Sequence, residues 1–260
     1  MRQFVTSKDG TRIAYESAGQ GQTVLIVLGA LNSRKSGTRL ARLLAARFMA
    51  VTYDRRGRGD SSDAGSYSPE REVEDIAALI DAVGRPACLY GHSSGAALAI
   101  TAAVELPEQV TKLAVYEAPY SVDSAARKAA EQYYVALREA LASGHNGDAV
   151  ALFVRSVGVS DAQVQAMRQM PMWKGLEKLA PTLVYDSKAL GKGHALPGAL
   201  LARVRTPTLV MHGGAGSPAM RDAAQAISAA IPKASLRTLA RQTHGVSPKA
   251  LAPVLDEFFA

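Results

Sequence analysis

Apolar residues along the chain alternate between two spacings. Short continuous runs recur at Thr23-Val24-Leu25-Ile26-Val27-Leu28, Met49-Ala50-Val51-Thr52-Tyr53, Pro86-Ala87-Cys88-Leu89-Tyr90, Lys112-Leu113-Ala114-Val115-Tyr116-Glu117, Thr206-Pro207-Thr208-Leu209-Val210-Met211 and Ala234-Ser235-Leu236-Arg237-Thr238-Leu239. Runs of this length predict strands, and the most continuous ones predict strands covered on both faces. Between them apolar residues fall at helical spacing: Leu40, Leu43, Leu44 and Phe48; Val73, Ile76, Ala77, Ile80 and Val83; residues 96–104; Met220, Ala223, Ala224 and Ile227; Leu251, Val254, Leu255 and Phe258. Three of these helices open on Ser-Pro (Ser68-Pro69, Ser217-Pro218, Ser247-Pro248), with serine suited to the N-cap and proline to the first turn. Near the N-terminus, Phe4-Val5-Thr6 and Arg12-Ile13-Ala14-Tyr15 flank Asp9-Gly10, a hairpin signal. Strands alternating with helices predict an α/β fold with a mostly parallel central sheet and helices on both faces.

The rhythm breaks between residues 120 and 202. This stretch reads as mainly helical and amphipathic, with Tyr133, Tyr134, Leu137 and Leu141 on one stripe and Met167, Met170, Met172 and Trp173 close together. It predicts a helical cap over 120–202, inserted into a core formed by 1–119 and 203–260. Parallel sheets bind ligands beyond the carboxyl ends of their strands, so an insertion there acts as a lid. Met170 and Trp173, with Leu31 from the loop after the first long strand, are expected to line an apolar substrate pocket. Simple packing of cap onto core is the equal alternative for the methionine cluster.

Composition narrows the function classes. The 260 residues are 48% apolar, enough for a sizeable core, and the net charge of +7 comes from 30 basic and 23 acidic residues. The basic residues are scattered, with no long run and no interleaved aromatic residues, so nucleic acid is not an expected partner. The single cysteine, Cys88, lies in a predicted strand and reads as a small core residue. Residues 1–15 are polar and alternating, and no apolar stretch is long enough to span a bilayer. These features lead to the expectation of a cytoplasmic protein that acts on a small molecule, without a membrane segment.

The chemistry concentrates at Gly91-His92-Ser93-Ser94-Gly95, a G-x-S-x-G pattern between a predicted strand and a predicted helix. A serine at the tip of so sharp a turn, an elbow between strand and helix, needs a strained backbone and small residues on either side. The helix N-terminus that follows favours developing negative charge. The Ser94 amide is then one expected oxyanion donor.

With the segment Tyr53-Asp54-Arg55-Arg56-Gly57-Arg58-Gly59-Asp60-Ser61-Ser62, the elbow and a late Thr243-His244-Gly245, the chain resembles small single-chain α/β-hydrolase-fold proteins with a helical cap. The resemblance implies a Ser/acid/His triad, an oxyanion hole of backbone amides and no cofactor. Ser93 becomes the nucleophile and His244 the base, with Ala30 supplying the second oxyanion amide. The implied roles leave His92 to packing, His145 and His194 to solvent, and His212 at most to the site wall.

The acid departs from the pattern. Family members commonly carry an Asp a few residues beyond the penultimate strand, where this chain has Gly216, and the next acid is Asp222 inside a predicted helix. Glu117 ends an otherwise apolar strand, a costly place for an unpaired charge. It is the preferred partner for His244, with Asp222 or a Ser–His dyad as alternatives. The expected function is a serine hydrolase of a small, fairly apolar ester, thioester or lactone through an acyl-enzyme on Ser93. The alternatives are a non-hydrolytic or C–C bond-processing enzyme of the same fold and a non-catalytic small-ligand-binding protein.

Overall fold

A computed structural model describes every residue of the chain except Arg85. Eight strands, β1 (Gln3–Thr6), β2 (Arg12–Ala18), β3 (Thr23–Val27), β4 (Met49–Tyr53), β5 (Ala87–His92), β6 (Val110–Tyr116), β7 (Thr208–Gly213) and β8 (Ala234–Leu239), form one sheet in the order β1-β2-β4-β3-β5-β6-β7-β8. β1 pairs antiparallel with β2, and β2 antiparallel with β4. All remaining pairings are parallel. The β1–β2 hairpin turns at Asp9-Gly10, where Gly10 adopts φ 87° and the Asp9 carboxylate accepts from the Thr11 amide.

The period of two along each strand divides the core. Leu25, Val27, Leu89 and Val115 pack with Ile76, Leu79, Leu98 and Ile227 on one face. Val24, Ile26, Cys88, Tyr90, Ala114 and Met211 pack with Leu40, Leu44, Leu251 and Leu255 on the other. Both faces are apolar, which is why the central strands read as unbroken runs. β4 and β8 match the pattern at both ends, and the other strands differ from it by one to three residues at one end or both; β5 continues through Gly91 and His92 because the β6 partner pairs with both.

Between β6 and β7 the chain forms the helices Ser124–Ala142, Asn146–Ser156, Asp161–Arg168, Trp173–Leu179, Leu183–Leu190 and Gly198–Leu201. They bury a cluster of their own, with Leu137, Val150, Val164, Trp173 and Leu183 at its centre, and Ala30 from the loop after β3 joins it. A parallel bridge between Ser121 and Ala195 ties the start of this segment to its end. Among the described residues no helix is long and apolar enough to cross a membrane.

Candidate active site

Ser93 stands between β5 and the helix Ser94–Glu105 with φ 58° and ψ −130°, a conformation that L-residues rarely adopt. Its neighbours explain how the chain tolerates it. A Cβ on Gly95 would strike the Val27 carbonyl oxygen, and one on Gly91 would stand 2.5 Å from the Ala96 Cα. Gly29, across from the elbow, brings its backbone so near that a Cβ there would lie 2.7 Å from the Ser93 Cβ. The turn is further fixed by the Ser93 amide, which donates to the Tyr116 carbonyl at 3.0 Å.

Glu117 follows β6 directly, also with a positive φ, 46°, and is 1% exposed. One carboxylate oxygen accepts from the Gly213 amide at 2.8 Å, and the other lies 2.8 Å from His244 Nδ1. Because an ionised carboxylate only accepts, His244 Nδ1 carries a proton, so that in the neutral ring Nε2 is the acceptor. Burial pushes the Glu117 carboxyl up, yet the His244 and Gly213 hydrogen bonds outweigh it and hold the group below its ordinary range. The loop that carries His244 is pinned twice more: the Tyr116 hydroxyl donates to the Thr243 carbonyl at 2.7 Å, and His92 Nε2 donates to the His244 carbonyl at 2.9 Å. Burial, with the His244 ring 4.9 Å away, pushes His92 down to about 4.

Ser93, 7% exposed, and His244 line one cavity of about 480 Å³. No direct hydrogen bond joins the two side chains. Ala30 and Ser94 line the same cavity. Ser94 is the first residue of its helix, where an amide has no acceptor within the helix. Tyr120, Ala126, Tyr133, Phe153, Val157 and Leu190 supply most of the apolar wall, and among the described residues no lysine or arginine lines it.

Beneath the cavity lies a buried ion network. Arg55 makes paired bonds to Glu72, both at 2.6 Å, and reaches Asp186 at 2.6 Å. Arg58 bonds the other Asp186 oxygen at 2.7 Å, Thr182 Oγ1 at 3.0 Å and the Gly29 carbonyl at 2.7 Å. Ser94 Oγ donates to Asp186 at 2.7 Å. Two arginines face two carboxylates, so the cluster is neutral as a whole. Burial pushes Asp186 up, and the two guanidinium groups more than reverse this.

A sequence model of the alpha/beta hydrolase family matches residues 29–256. The chain belongs to the alpha/beta hydrolase family. An alpha/beta hydrolase from Sphaerobacter thermophilus DSM 20745 is 47% identical over 99% of this chain and 100% of that one, with a TM-score of 0.90. The curated protein named uncharacterized hydrolase YraK, of Bacillus subtilis (strain 168), is 32% identical over 112 residues, which are 42% of this chain and 41% of that protein. The match thus spans less than half of the curated relative's length. A thermophilic esterase from Thermogutta terrifontis shares the fold at 20% identity, with a TM-score of 0.76 over 100% of this chain and 98% of that one.

Within this alpha/beta hydrolase the structure brings Ser93, His244, Ala30 and Ser94 to one cavity and puts Glu117 on the far side of His244. Asp222 also reaches the cavity, but it faces Arg221 in an exposed pair and not His244. The expected pocket wall needs correction. Trp173 is 4% exposed inside the helical segment's own cluster, Leu31 packs against that cluster, and Met170 and Met172 are 51% and 54% exposed. None of the four lines the cavity at Ser93. Met170 and Met172 lie in the turn between the helices Asp161–Arg168 and Trp173–Leu179, and Trp173 faces the other helices of the segment, so closeness in sequence does not identify the face toward the substrate. His194, read as solvent-facing, lines the cavity instead, and its Nε2 is buried without a partner. His145 is largely exposed, and His212 is buried against Thr238 outside the cavity wall. The pattern missed Asp186 entirely. The available signal was the pair Arg55 and Arg58 beside an apolar strand, which demands buried acids from elsewhere in the chain.

Proposed function

We propose that this alpha/beta hydrolase cleaves a small, fairly apolar ester, thioester or lactone through an acyl-enzyme on Ser93. Ser93 Oγ attacks the acyl carbon while its proton passes to His244 Nε2. Negative charge that develops on the carbonyl oxygen is received by the Ala30 and Ser94 amides. His244 then protonates the leaving oxygen or sulfur as the acyl–leaving-group bond breaks. A water, deprotonated by His244, attacks the acyl carbon, and the Ser93 alkoxide regains the proton, releasing a carboxylic acid. Glu117 holds His244 in the tautomer this sequence requires and stabilises its cationic form.

The observation that carries this reading is the His244 Nδ1–Glu117 Oε2 bond of 2.8 Å behind a cavity that also exposes Ser93. The wall supports the substrate class: it is mainly apolar and lacks a cation to receive an anionic tail. The test combines a fluorophosphonate probe, read by intact mass, with a series of p-nitrophenyl esters. One adduct is expected on the wild type and none on Ser93→Ala. Neutral acyl esters are expected to outpace esters that carry a free carboxylate. A folded protein that neither labels nor hydrolyses any ester would favour the ligand-binding alternative.

A further inference from the structure

A trans peptide is a rigid unit in which the carbonyl and the following amide point in opposite directions. The carbonyl of Gly29 and the amide of Ala30 belong to one such unit. Whatever grips the Gly29 oxygen therefore aims the Ala30 N–H. In this structure the grip is a cation: Arg58 Nη1 donates to the Gly29 oxygen at 2.7 Å. Charge-assisted bonds of this kind are shorter and stronger than neutral ones, and they polarise the peptide so that its amide becomes a better donor.

Arg58 is in turn held by the Leu183–Leu190 helix and the turn before it. Asp186 Oδ2 lies 2.7 Å from its Nη2, and Thr182 Oγ1 lies 3.0 Å from its Nε. The same carboxylate reaches the opposite side of the elbow, where Asp186 Oδ1 accepts from Ser94 Oγ at 2.7 Å. Ser94 carries the other amide. One side chain from the helical segment thus controls both donors, one through Arg58 and one through the Ser94 hydroxyl. Arg55, 2.6 Å from Asp186, completes the charge balance with Glu72. Arg55, Arg58 and Glu72 do not line the cavity at Ser93.

We propose that Arg58 and Asp186 are a positioning pair that sets the Gly29–Ala30 peptide and Ser94 as oxyanion donors, so that the helical segment between β6 and β7 assembles the oxyanion site as well as covering it. The proposal rests on the serine-hydrolase reading above. It separates from a purely structural role because removing Arg58 has two effects. It leaves the buried cluster one positive charge short, with Arg55 alone facing both Glu72 and Asp186, and it frees the Gly29 carbonyl. The double variant Arg58→Met/Asp186→Asn restores electroneutrality, with Arg55 facing Glu72, but does not restore the grip on Gly29.

The experiment compares wild type, Arg58→Met, Arg58→Met/Asp186→Asn and the milder Arg58→Lys. Rates are normalised to active sites titrated with the fluorophosphonate, so that unfolded protein does not register as slow enzyme. Arg58→Met is expected to lower kcat at least about tenfold with KM within about threefold, as for a group that acts only in the transition state. Affinity for a trifluoromethyl ketone analogue should fall by the same factor as kcat/KM. The double variant should recover the melting temperature but not kcat. Lysine cannot reproduce the guanidinium fork across Gly29, Asp186 and Thr182, so Arg58→Lys should show a several-fold loss of kcat at unchanged KM. Recovery of kcat together with stability in the double variant, or wild-type kcat in both single variants, would overturn the proposal while leaving the hydrolase reading intact. Failure of the wild type to label or turn over would overturn that reading first, and the proposal with it.

Discussion

At position 216 a side chain would stand 2.9 Å from Glu117 Oε1, so the glycine there and the glutamate at 117 are two halves of one fit. The carboxylate occupies space that an acid grown from residue 216 would need. This makes the departure from the family pattern intelligible: an acid in the turn after β7 is exchanged for an acid at the end of β6. Half of this was legible in the sequence. Glu117 stood out because a charge at the end of an apolar strand demands a partner. The glycine read only as a loss, since its contribution is empty volume beside a residue 99 positions away in the chain. Gly216→Ala should push the Glu117 carboxylate out of its two hydrogen bonds, with a lesser crowding of the Gly213 carbonyl 3.2 Å from the new Cβ. We expect its melting temperature to stay near wild type while kcat falls by about tenfold or more, the cost of a badly oriented base. Steady-state kinetics beside a thermal melt would check both halves.

The elements converge on the loop after β8, which has no regular structure to hold it. The ends of β5 and β6 perform that task through His92, Tyr116 and Glu117. Their order in space follows from parallel neighbours, β5 beside β6 beside β7; the strand–helix alternation indicated a parallel sheet but not this order. The contacts themselves were not, because the role of His92 depends on a backbone carbonyl far along the chain. His92 also carries a pH signature. Its folded value of about 4 lies below the ordinary 6.5, so between these limits the unfolded chain binds the extra proton. Stability therefore declines as pH falls from about 6.5 toward 4, and this contribution levels off below. In His92→Gln that part of the decline should vanish, leaving a flatter plot of melting temperature against pH, measured by calorimetry over pH 4–7.

On the scale of the molecule, the core strands were legible because both of their faces are buried, whereas the helical segment was not resolved by pattern. Asp186 lies 128 residues from Arg58, on a helix whose spacing alone marked no acid for burial. Yet that acid joins the segment to the elbow, and breaking a buried, partnered charge costs about 3–5 kcal/mol. The segment should therefore unfold together with the sheet. Trp173, the one tryptophan of the chain, sits inside the segment and reports it alone. Its fluorescence transition in urea should coincide with the far-UV circular dichroism transition of the whole protein, and a separate earlier fluorescence transition would show the segment to be independent. The assembly serves one claim, that hydrolysis runs through Ser93, His244 and Glu117. The most direct measurement is kcat for Glu117→Gln beside Asp222→Asn, on the ester the wild type cleaves best. We predict a loss of about 10³ or more for Glu117→Gln at near-native stability, as for loss of a triad acid, and wild-type turnover for Asp222→Asn. A Glu117→Gln enzyme that retains near-wild-type rates, with Asp222→Asn impaired, would contradict the account.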